Sequence, residues 1–340
     1  MKEFLRKKNI IFSAKRYGID ALGAMAQGLF ASLLIGTIIS TLGEQLGIGI
    51  LVTVGGYAKG ATGAAMAISI GVALQCPPLV LFSLAAVGMA ANELGGAGGP
   101  LAVLVVTIFA AEFGKLVSKE TKIDIIVTPF VTICVGVLLS LGCAPAIGAA
   151  ASTVGTAIMW ATELQPFFMG IIVSVIVGIA LTLPISSAAI CIMLSLDGLA
   201  GGAATAGCCA QMVGFAVLSF CENKWGGLLA QGLGTSMLQM GNIVRNPKIW
   251  IPPTLASMVT GPLSTMVFHL ENIPAGSGMG TCGLVGPIGI YTAMQGSGNS
   301  MMWPGILLIC FVLPAVLTLF FGALCRKAGW IKEGDLKLDL

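Results

Sequence analysis

Residues 167–184 read FFMGIIVSVIVGIALTLP, and this stretch decides the class of fold. It carries no charged side chain, and a run of about 20 apolar residues crosses the hydrocarbon core of a bilayer as a helix. The rest of the chain agrees, because 56% of its 340 residues are hydrophobic and only 9% are charged. Soluble domains carry about 25% charged residues, so the composition excludes a water-soluble enzyme. It also excludes a disordered chain, which needs high charge and low hydropathy.

Further apolar runs lie on both sides of this stretch, at residues 21–42, 101–117, 123–141 and 303–324. We therefore predict an all-α, multi-pass membrane protein with about 8–10 membrane segments. The sequence GGAGGP at residues 95–100 predicts a turn. The run at residues 60–92 is interrupted by CPP at 76–78, and we predict one kinked helix there. Two helices would place the basic loop at 115–122 outside, against the positive-inside rule.

Basic residues flank both ends of the chain. Six of the 17 basic residues lie in the first 16 positions, and Arg326 and Lys327 follow the last apolar run. Because basic flanks stay on the cytoplasmic side, we predict that both termini are cytoplasmic. No small-residue cleavage site follows the basic N-terminus, so we do not interpret it as a signal peptide.

The second half of the chain is less regular than the first. Apolar arms at residues 185–196 and 205–220 flank DGLAGG at 197–202, and each arm is short for a crossing. A similar pattern occurs at residues 272–293, with Gly286-Pro287 in its middle. Irregular backbone at membrane depth is tolerated only where protein or a water-filled cavity surrounds it. We therefore predict two re-entrant helical hairpins in the C-terminal half.

The strongest local signal for a binding site is HLENIPAGSGMG at residues 269–280. Glycines let backbone groups approach a substrate, while Glu and Asn offer acceptors and donors for hydroxyl groups. Many transporters build their sites from broken helices of this kind. The predicted substrate-binding residues are His269, Glu271, Asn272, Gly276, Gly278 and Gly280, with Asp197 facing them from the first hairpin tip. The alternatives are a polar loop outside the membrane, an interfacial His269 and a helix-capping Asp197.

Other kinds of site lack support in the sequence. The ten cysteines form no CxxC pair, and the chain has a single histidine, so we expect no metal ion. A phosphate-binding GxxxxGK[ST] loop is absent. No histidine can be assigned to a catalytic triad. We therefore expect no cofactor, no catalytic residue and no nucleic-acid partner.

Several motifs resemble a known family. They are GNIVRNPKIWIPPT at residues 241–254, GPLST at 261–265, ENIPAGSGMG at 271–280 and GLVG at 283–286. These motifs resemble standalone enzyme IIC-like proteins of the bacterial phosphotransferase system, in particular the perfringolysin-regulator type. The resemblance covers nearly the whole chain and implies the bacterial cytoplasmic membrane, about ten membrane segments and a homodimer. It also implies that Glu271 and His269 lie near a sugar, although the GITEP motif of glucose-type members is absent.

These patterns divide the chain into a basic N-terminus (1–20), a scaffold and dimerisation half (21–165), a substrate-binding half (166–325) and a cytoplasmic tail (326–340). We predict a membrane transporter of the enzyme IIC type that moves a small polar, sugar-like solute by alternating access. The alternative is a non-transporting membrane sensor or regulator with the same fold. The resemblance implies that any phosphoryl transfer uses separate cytosolic IIA and IIB proteins, because the tail is too short for such a domain.

Overall fold

The computed structural model describes residues 2–295 and 299–338, and these residues are predominantly helical. The helices are α1 (Lys2–Lys7), α2 (Ala21–Leu29), α3 (Ile35–Leu46), α4 (Gly49–Gly60), α5 (Thr62–Ala73), α6 (Pro78–Gly95), α7 (Gly99–Val117), α8 (Asp124–Thr162), α9 (Pro166–Thr182), α10 (Ser187–Met193), α11 (Gly198–Leu218), α12 (Phe220–Leu229), α13 (Met240–Arg245), α14 (Ile251–Pro262), α15 (Pro274–Ser277), α16 (Val285–Met294), α17 (Met302–Leu307) and α18 (Leu313–Lys327). The described residues contain no strand, only an isolated bridge between Gly198 and Asn272. The predicted all-α class is confirmed for them.

Five helical runs among the described residues are long and apolar enough to cross a membrane. They are Arg16–Leu46, Pro78–Val117, Asp124–Thr162, Gly198–Leu218 and Met302–Lys327. Shorter apolar helices lie at Thr62–Ala73, Pro166–Thr182 and Cys282–Met294. These runs agree with a multi-pass membrane protein, while the number of 8–10 membrane segments stays a prediction.

The chain divides into two compact units, residues 1–151 (unit 1) and residues 152–340 (unit 2). In unit 1 the long run Arg16–Leu46 packs against a return path made of α4 and α5. A Cβ atom added at Gly55 would lie 2.5 Å from the Gly36 carbonyl oxygen, and one at Gly28 would lie 2.6 Å from that of Ala65. Glycine at these crossings lets the backbones approach closely.

The helices α5 and α6 pack side by side in opposite directions. A Cβ atom added at Gly63 would collide with the Gly88 carbonyl group, and one at Gly71 would lie 2.8 Å from Leu84 Cδ1. The chain reverses at residues 74–77, just before Pro78 begins α6. The predicted single kinked helix at 60–92 is therefore wrong. Proline removes a backbone donor and interrupts a helix. The chain reverses fully at this break, because the close contacts at Gly63 and Gly71 stabilise α6 against α5.

A return path made of two helices reconciles the reversal with the positive-inside rule. Lys59, near the end of α4, packs against Gly36, which lies ~30 Å along the continuous helix from Arg16. Since α4 and α5 form one return path, the turn at residues 74–77 comes back to the end of the unit where the N-terminal segment lies.

The glycine-rich turn predicted at residues 95–100 is confirmed. Helix α6 ends at Gly95, α7 begins at Gly99, and Gly96 between them has φ +49°. The two helices run in opposite directions, since the end of α7 contacts the start of α6. A Cβ atom added at Gly114 of α7 would lie 2.8 Å from Val80 of α6.

A buried polar network closes one end of unit 1. Lys115 is only 1% exposed, and its ammonium group pairs with Glu112 at 2.8 Å and donates to the carbonyl oxygens of Asn9 at 3.1 Å and Leu74 at 3.3 Å. The Tyr17 hydroxyl donates to Glu112 at 3.0 Å. Buried charges need this degree of pairing. The network fastens the N-terminal segment to the α5–α6 turn, so Lys115 is structural and does not belong to a solvated basic loop.

In unit 2 the helices α9, α14 and α18 surround α11. Helices α9 and α18 run parallel to α11, and α14 runs antiparallel to it. A Cβ atom added at Gly207 would overlap the Ser174 carbonyl oxygen of α9, and one at Gly214 would lie 2.6 Å from Thr318 of α18. Small residues on α11 thus allow three helices to approach it closely, and the candidate site is built against this helix.

Candidate functional site

Residues 268–294 follow α11 for about half of its length and then turn back. The Leu270 carbonyl group lies against Gly202 in the first turns of α11, and Gly280 lies against Cys208 near its middle. Helix α16 then returns alongside the start of the same segment. The segment therefore enters and leaves at the N-terminal end of α11. We call it the returning segment.

The reversal of the returning segment depends on residues in the left-handed region. Gly280 has φ +54° and Gly283 has φ +52°, and Leu284 with φ +60° precedes α16. A Cβ atom added at Gly280 would also lie 2.8 Å from the side chain of Cys208. Both the backbone conformation and the close packing therefore require glycine at position 280.

The four-residue helix α15 of the returning segment lies between α10 and α11. The Ser187 hydroxyl donates to the Gly278 carbonyl oxygen at 2.7 Å, and the Ser277 hydroxyl donates to that of Leu196 at 2.8 Å. A Cβ atom at Gly278 would lie 2.6 Å from the Ser187 carbonyl oxygen, and at Gly276 it would lie 2.5 Å from the amide side chain four residues earlier. In this conformation these predicted site glycines permit packing between protein segments.

Asn272 ties the returning segment to α11. Its side-chain amide donates to Thr205 Oγ1 at 2.6 Å and to the Gly286 carbonyl oxygen at 3.1 Å, and its Oδ1 accepts from the Ile273 N–H at 2.8 Å. Its own N–H donates to the Gly198 carbonyl oxygen at 3.1 Å. The side chain is 1% exposed. Asn272 was predicted to contact solute, and the structure places it where its hydrogen bonds go to the protein.

Three ionisable residues of the predicted site lie together at the N-terminal end of α11. Asp197 and Glu271 each adjoin one of the two bridged residues, Gly198 and Asn272, and His269 lies two residues before Glu271. All three ionisable side chains are exposed. Asp197 occupies the N-cap position of α11, but its carboxylate accepts no capping hydrogen bond. The structure thus brings the tip of the predicted first hairpin beside the returning segment.

An open pocket of about 280 Å³ lies at this same end of unit 2. It is lined by His269 and by Gln165, Pro166, Phe167, Leu199, Thr265 and Met266. Leu199 directly follows the bridged Gly198, so the pocket adjoins the place where α11 meets the returning segment. The Thr265 hydroxyl already donates to the Pro166 carbonyl oxygen at 2.9 Å, which leaves Gln165 and His269 as the polar side chains of the lining.

The two ends of unit 2 differ in charge. Glu163, Asp197 and Glu271 lie at the N-terminal end of α11, and the sequence has no Lys or Arg at residues 123–223 or 249–325. We call this the acidic end. The basic residues of unit 2 lie at the opposite end, called the basic end: Lys224, Arg245, Lys248, Arg326, Lys327, Lys332 and Lys337. A charge separation of this kind is typical of the two faces of a membrane protein.

A second site-like feature, which was not predicted from the sequence, lies at the basic end. Residues 330–338 of the tail fold back on unit 2, and Ile331 and Leu336 are buried there. Polar side chains of residues 222–246 bond to the tail. The signal that was available is the alternation of Ile331, Leu336 and Leu338 with charged residues, which is typical of a segment packed on one face only.

The apolar helical runs, together with a returning segment held inside them, define a multi-pass membrane protein with an irregular core in unit 2. A family model described as "Phosphotransferase system, EIIC" matches residues 19–338. The chain belongs to this family, which supplies membrane components of the phosphotransferase system, and the suspected resemblance is confirmed. No curated protein and no solved structure matches the chain.

Proposed function

We propose that the chain is a transporter subunit that moves a small polar, sugar-like solute across the bacterial cytoplasmic membrane by alternating access. The observation that carries the proposal is the returning segment, which turns back beside α11 and exposes Glu271 two residues from His269, a residue that lines an open pocket. Transporters of several folds build their sites from such broken helices near the middle of the bilayer. Family membership supports a role in the phosphotransferase system.

Glu271 is proposed to be the main solute anchor. An ionised carboxylate accepts two hydroxyl protons in charge-assisted hydrogen bonds, which are about twice as strong as neutral ones. Glu271 is exposed and, among the described residues, its carboxylate has no ion pair or hydrogen bond. His269 and Gln165 supply further donors and acceptors. The pocket volume of about 280 Å³ is at the small end for ligand sites, which favours a monosaccharide-sized solute.

The other predicted site residues are proposed to act on the returning segment. Asn272, Gly276, Gly278 and Gly280 hold its path against α10 and α11 in this conformation. We propose that their backbone groups meet the solute only when the segment moves. Asp197, at the start of α11, is proposed to face the solute from the opposite side.

Orientation follows from the charges. The basic N-terminus and the basic end of unit 2 belong on the cytoplasmic side by the positive-inside rule, so we propose that both termini are cytoplasmic. The acidic end with its pocket then faces outward, and the returning segment is a re-entrant hairpin that enters from outside. We further propose a homodimer through unit 1, in which α4 exposes Ile50, Val54 and Tyr57 on one face. A single monomeric mass in native mass spectrometry would contradict the dimer.

Solute uptake into proteoliposomes tests the proposal. The purified chain should take up one or more members of a panel of monosaccharides and related polyols, and phosphorylated IIB protein should change whether the product is phosphorylated. The variant Glu271→Gln should lose uptake, whereas Glu163→Gln, an exposed acid at the same end, should keep it. Specific binding of a solute without any flux would instead favour the sensor or regulator of the same fold.

A further inference from the structure

The tail segment 330–338 is bound to unit 2 in the way that a peptide is bound in a groove. Leu336 is fully buried and Ile331 is 3% exposed, in a cluster with Phe215, Ile243 and Ile249. Lys332, Glu333 and Lys337 between and beside these anchors are exposed. Only one face of the tail is therefore apolar, and its charged face remains compatible with water after release.

Side-chain amides and a carboxylate bind the backbone of the tail. The amide groups of Asn223 and Gln239 donate to the Leu336 carbonyl oxygen at 2.8 and 3.0 Å, and that of Asn242 donates to the Lys337 carbonyl oxygen at 2.8 Å. In return, the Leu336 N–H donates to a carboxylate oxygen at 3.0 Å and the Leu338 N–H to an amide oxygen at 2.8 Å; the acceptors are Glu222 and Asn223. The tail is held mainly through its main chain.

The same amides connect the tail to the apex of the returning segment. Gln239 donates to Gln231 Oε1 at 2.9 Å, and Gln231 lies in the π-helical turn Ala230–Gly234. In that turn the Gly232 carbonyl oxygen accepts from the Thr281 hydroxyl. Thr281 follows Gly280 at the apex of the returning segment. A chain of direct hydrogen bonds and covalent neighbours thus runs from the tail to the apex of the returning segment.

We propose that residues 330–338 are a latch, which keeps the basic end of unit 2 closed while the pocket at the acidic end is open. Release of the latch frees the turn Ala230–Gly234 and, through Thr281, opens a path from the basic end to the apex of the returning segment. The role of this path as a solute exit rests on the proposed function. The mechanical link between tail and apex does not.

One native cysteine reports on the latch, and two others serve as controls. Cys282, next to Thr281, is 1% exposed, Cys221 at the basic end is exposed, and Cys310 in the interior is fully buried. The full-length chain in lipid nanodiscs is treated with a water-soluble maleimide, and the labelling rate of each cysteine is measured by peptide mass spectrometry. Cys221 should be labelled in every sample, and Cys310 should be labelled only after unfolding.

The variants Leu336→Gln and Lys337→Gln introduce the same residue at adjacent positions, one buried and one exposed. Leu336→Gln should raise the labelling rate of Cys282 by about tenfold or more, because local opening exposes it, while Cys310 stays protected. In Lys337→Gln the labelling rate of Cys282 should equal that in the unchanged chain. If Leu336→Gln also exposes Cys310, the milder Leu336→Ala decides by the same measurement.

Equal protection of Cys282 in the Leu336 variants and in the unchanged chain would overturn the latch. The measurement uses no solute, so its failure is distinct from a failure of the proposed function. A chain that transports nothing can still show the latch, and a chain that transports sugar can still lack it.

Discussion

At the acidic end of unit 2, Glu271 and His269 are exposed and His269 lines an open pocket. At the basic end, the amides of Asn223, Gln239 and Asn242 are bonded to the backbone of the tail. Both ends carry polar side chains, and their opposite charge does not show which end binds a ligand. Hydrogen bonding does, because groups that already bind the protein have less capacity left for a ligand. The difference supports the proposals of solute binding at the acidic end and of closure at the basic end.

The largest expected effect comes from Asn272. It lies at the acidic end, but its side-chain amide is bonded to the protein, as the amides at the basic end are. Asn272→Ala would remove the buried hydrogen bonds of the side chain to Thr205 Oγ1, the Gly286 carbonyl oxygen and the Ile273 N–H. Each lost bond costs about 1 kcal/mol, and the Ile273 N–H, left without its side-chain acceptor, costs about 1–3 kcal/mol. We expect a loss of about 3 kcal/mol or more in stability, seen as a lower thermal unfolding temperature in detergent. Gln295→Ala, an exposed amide, is the control and should unfold as the unchanged chain does. An unchanged unfolding temperature for Asn272→Ala would show that the amide is not a structural tie.

The next largest effect is on solute binding, and stability should not change. Removing the charged acceptor in Glu271→Gln should weaken solute binding by about 1.5–3 kcal/mol, roughly ten- to a hundredfold, with no change in unfolding temperature because the side chain is exposed. Glu163→Gln should leave the affinity unchanged. The measurement is equilibrium binding of a solute identified by uptake. Normal binding by Glu271→Gln would remove Glu271 from the site, and failure to fold would make it structural.

A smaller effect is expected from the basic end. Asn242→Ala removes the hydrogen bonds to the Lys337 carbonyl oxygen and to Gln239 Oε1, which together are worth about 1–2 kcal/mol. The backbone amides of residues 336–338 should then exchange with deuterium faster than in the unchanged chain. Lys327→Ala, at an exposed position of the same end, should leave their exchange unchanged. Equal exchange in both variants would argue that the apolar anchor Leu336 alone holds the tail.

The smallest perturbation tests which end faces outward. Ser300→Cys places a thiol of similar size at an exposed position next to α17, at the acidic end. A membrane-impermeant maleimide added to intact cells should label the introduced thiol and spare Cys221, since Cys221 lies at the basic end. The reverse pattern would invert the proposed orientation while leaving the chemistry of both ends in place. No change in stability or uptake is expected.

Much of the fold could be predicted, and the errors have a common cause. The long apolar runs, the glycine turn at residues 95–100 and the irregular core near residue 280 all appear in the structure as expected. The predicted kink at 76–78 was wrong, because the return path of α4 and α5 depends on glycine contacts between helices far apart in sequence. For the same reason the burial of Lys115, whose partners include Asn9 and Leu74, could not be read from its neighbours.

The candidate site shows the same division. The residue types at 269–280 predicted a polar segment between apolar runs. In the structure the side chains of His269 and Glu271 are exposed. It also places Asn272, only one residue away from Glu271, in a fully bonded position. Adjacent residues on an extended segment point to opposite sides, and which side meets α11 depends on packing that no local pattern encodes.

The sequence by itself determined that this chain is a helical membrane protein of the phosphotransferase EIIC family, with one acidic and one basic set of loops in its second half. Hydropathy and charge are properties of each residue, so their sum along the chain fixes the partition between lipid and water. Only the tertiary structure decided that Pro78 begins a helix antiparallel to α5, that the Asn272 side chain is bonded to the protein and that of Glu271 is not, and that the tail packs on the basic end. These outcomes depend on which distant residues meet, because a hydrogen bond or a close helix contact requires both partners at one place.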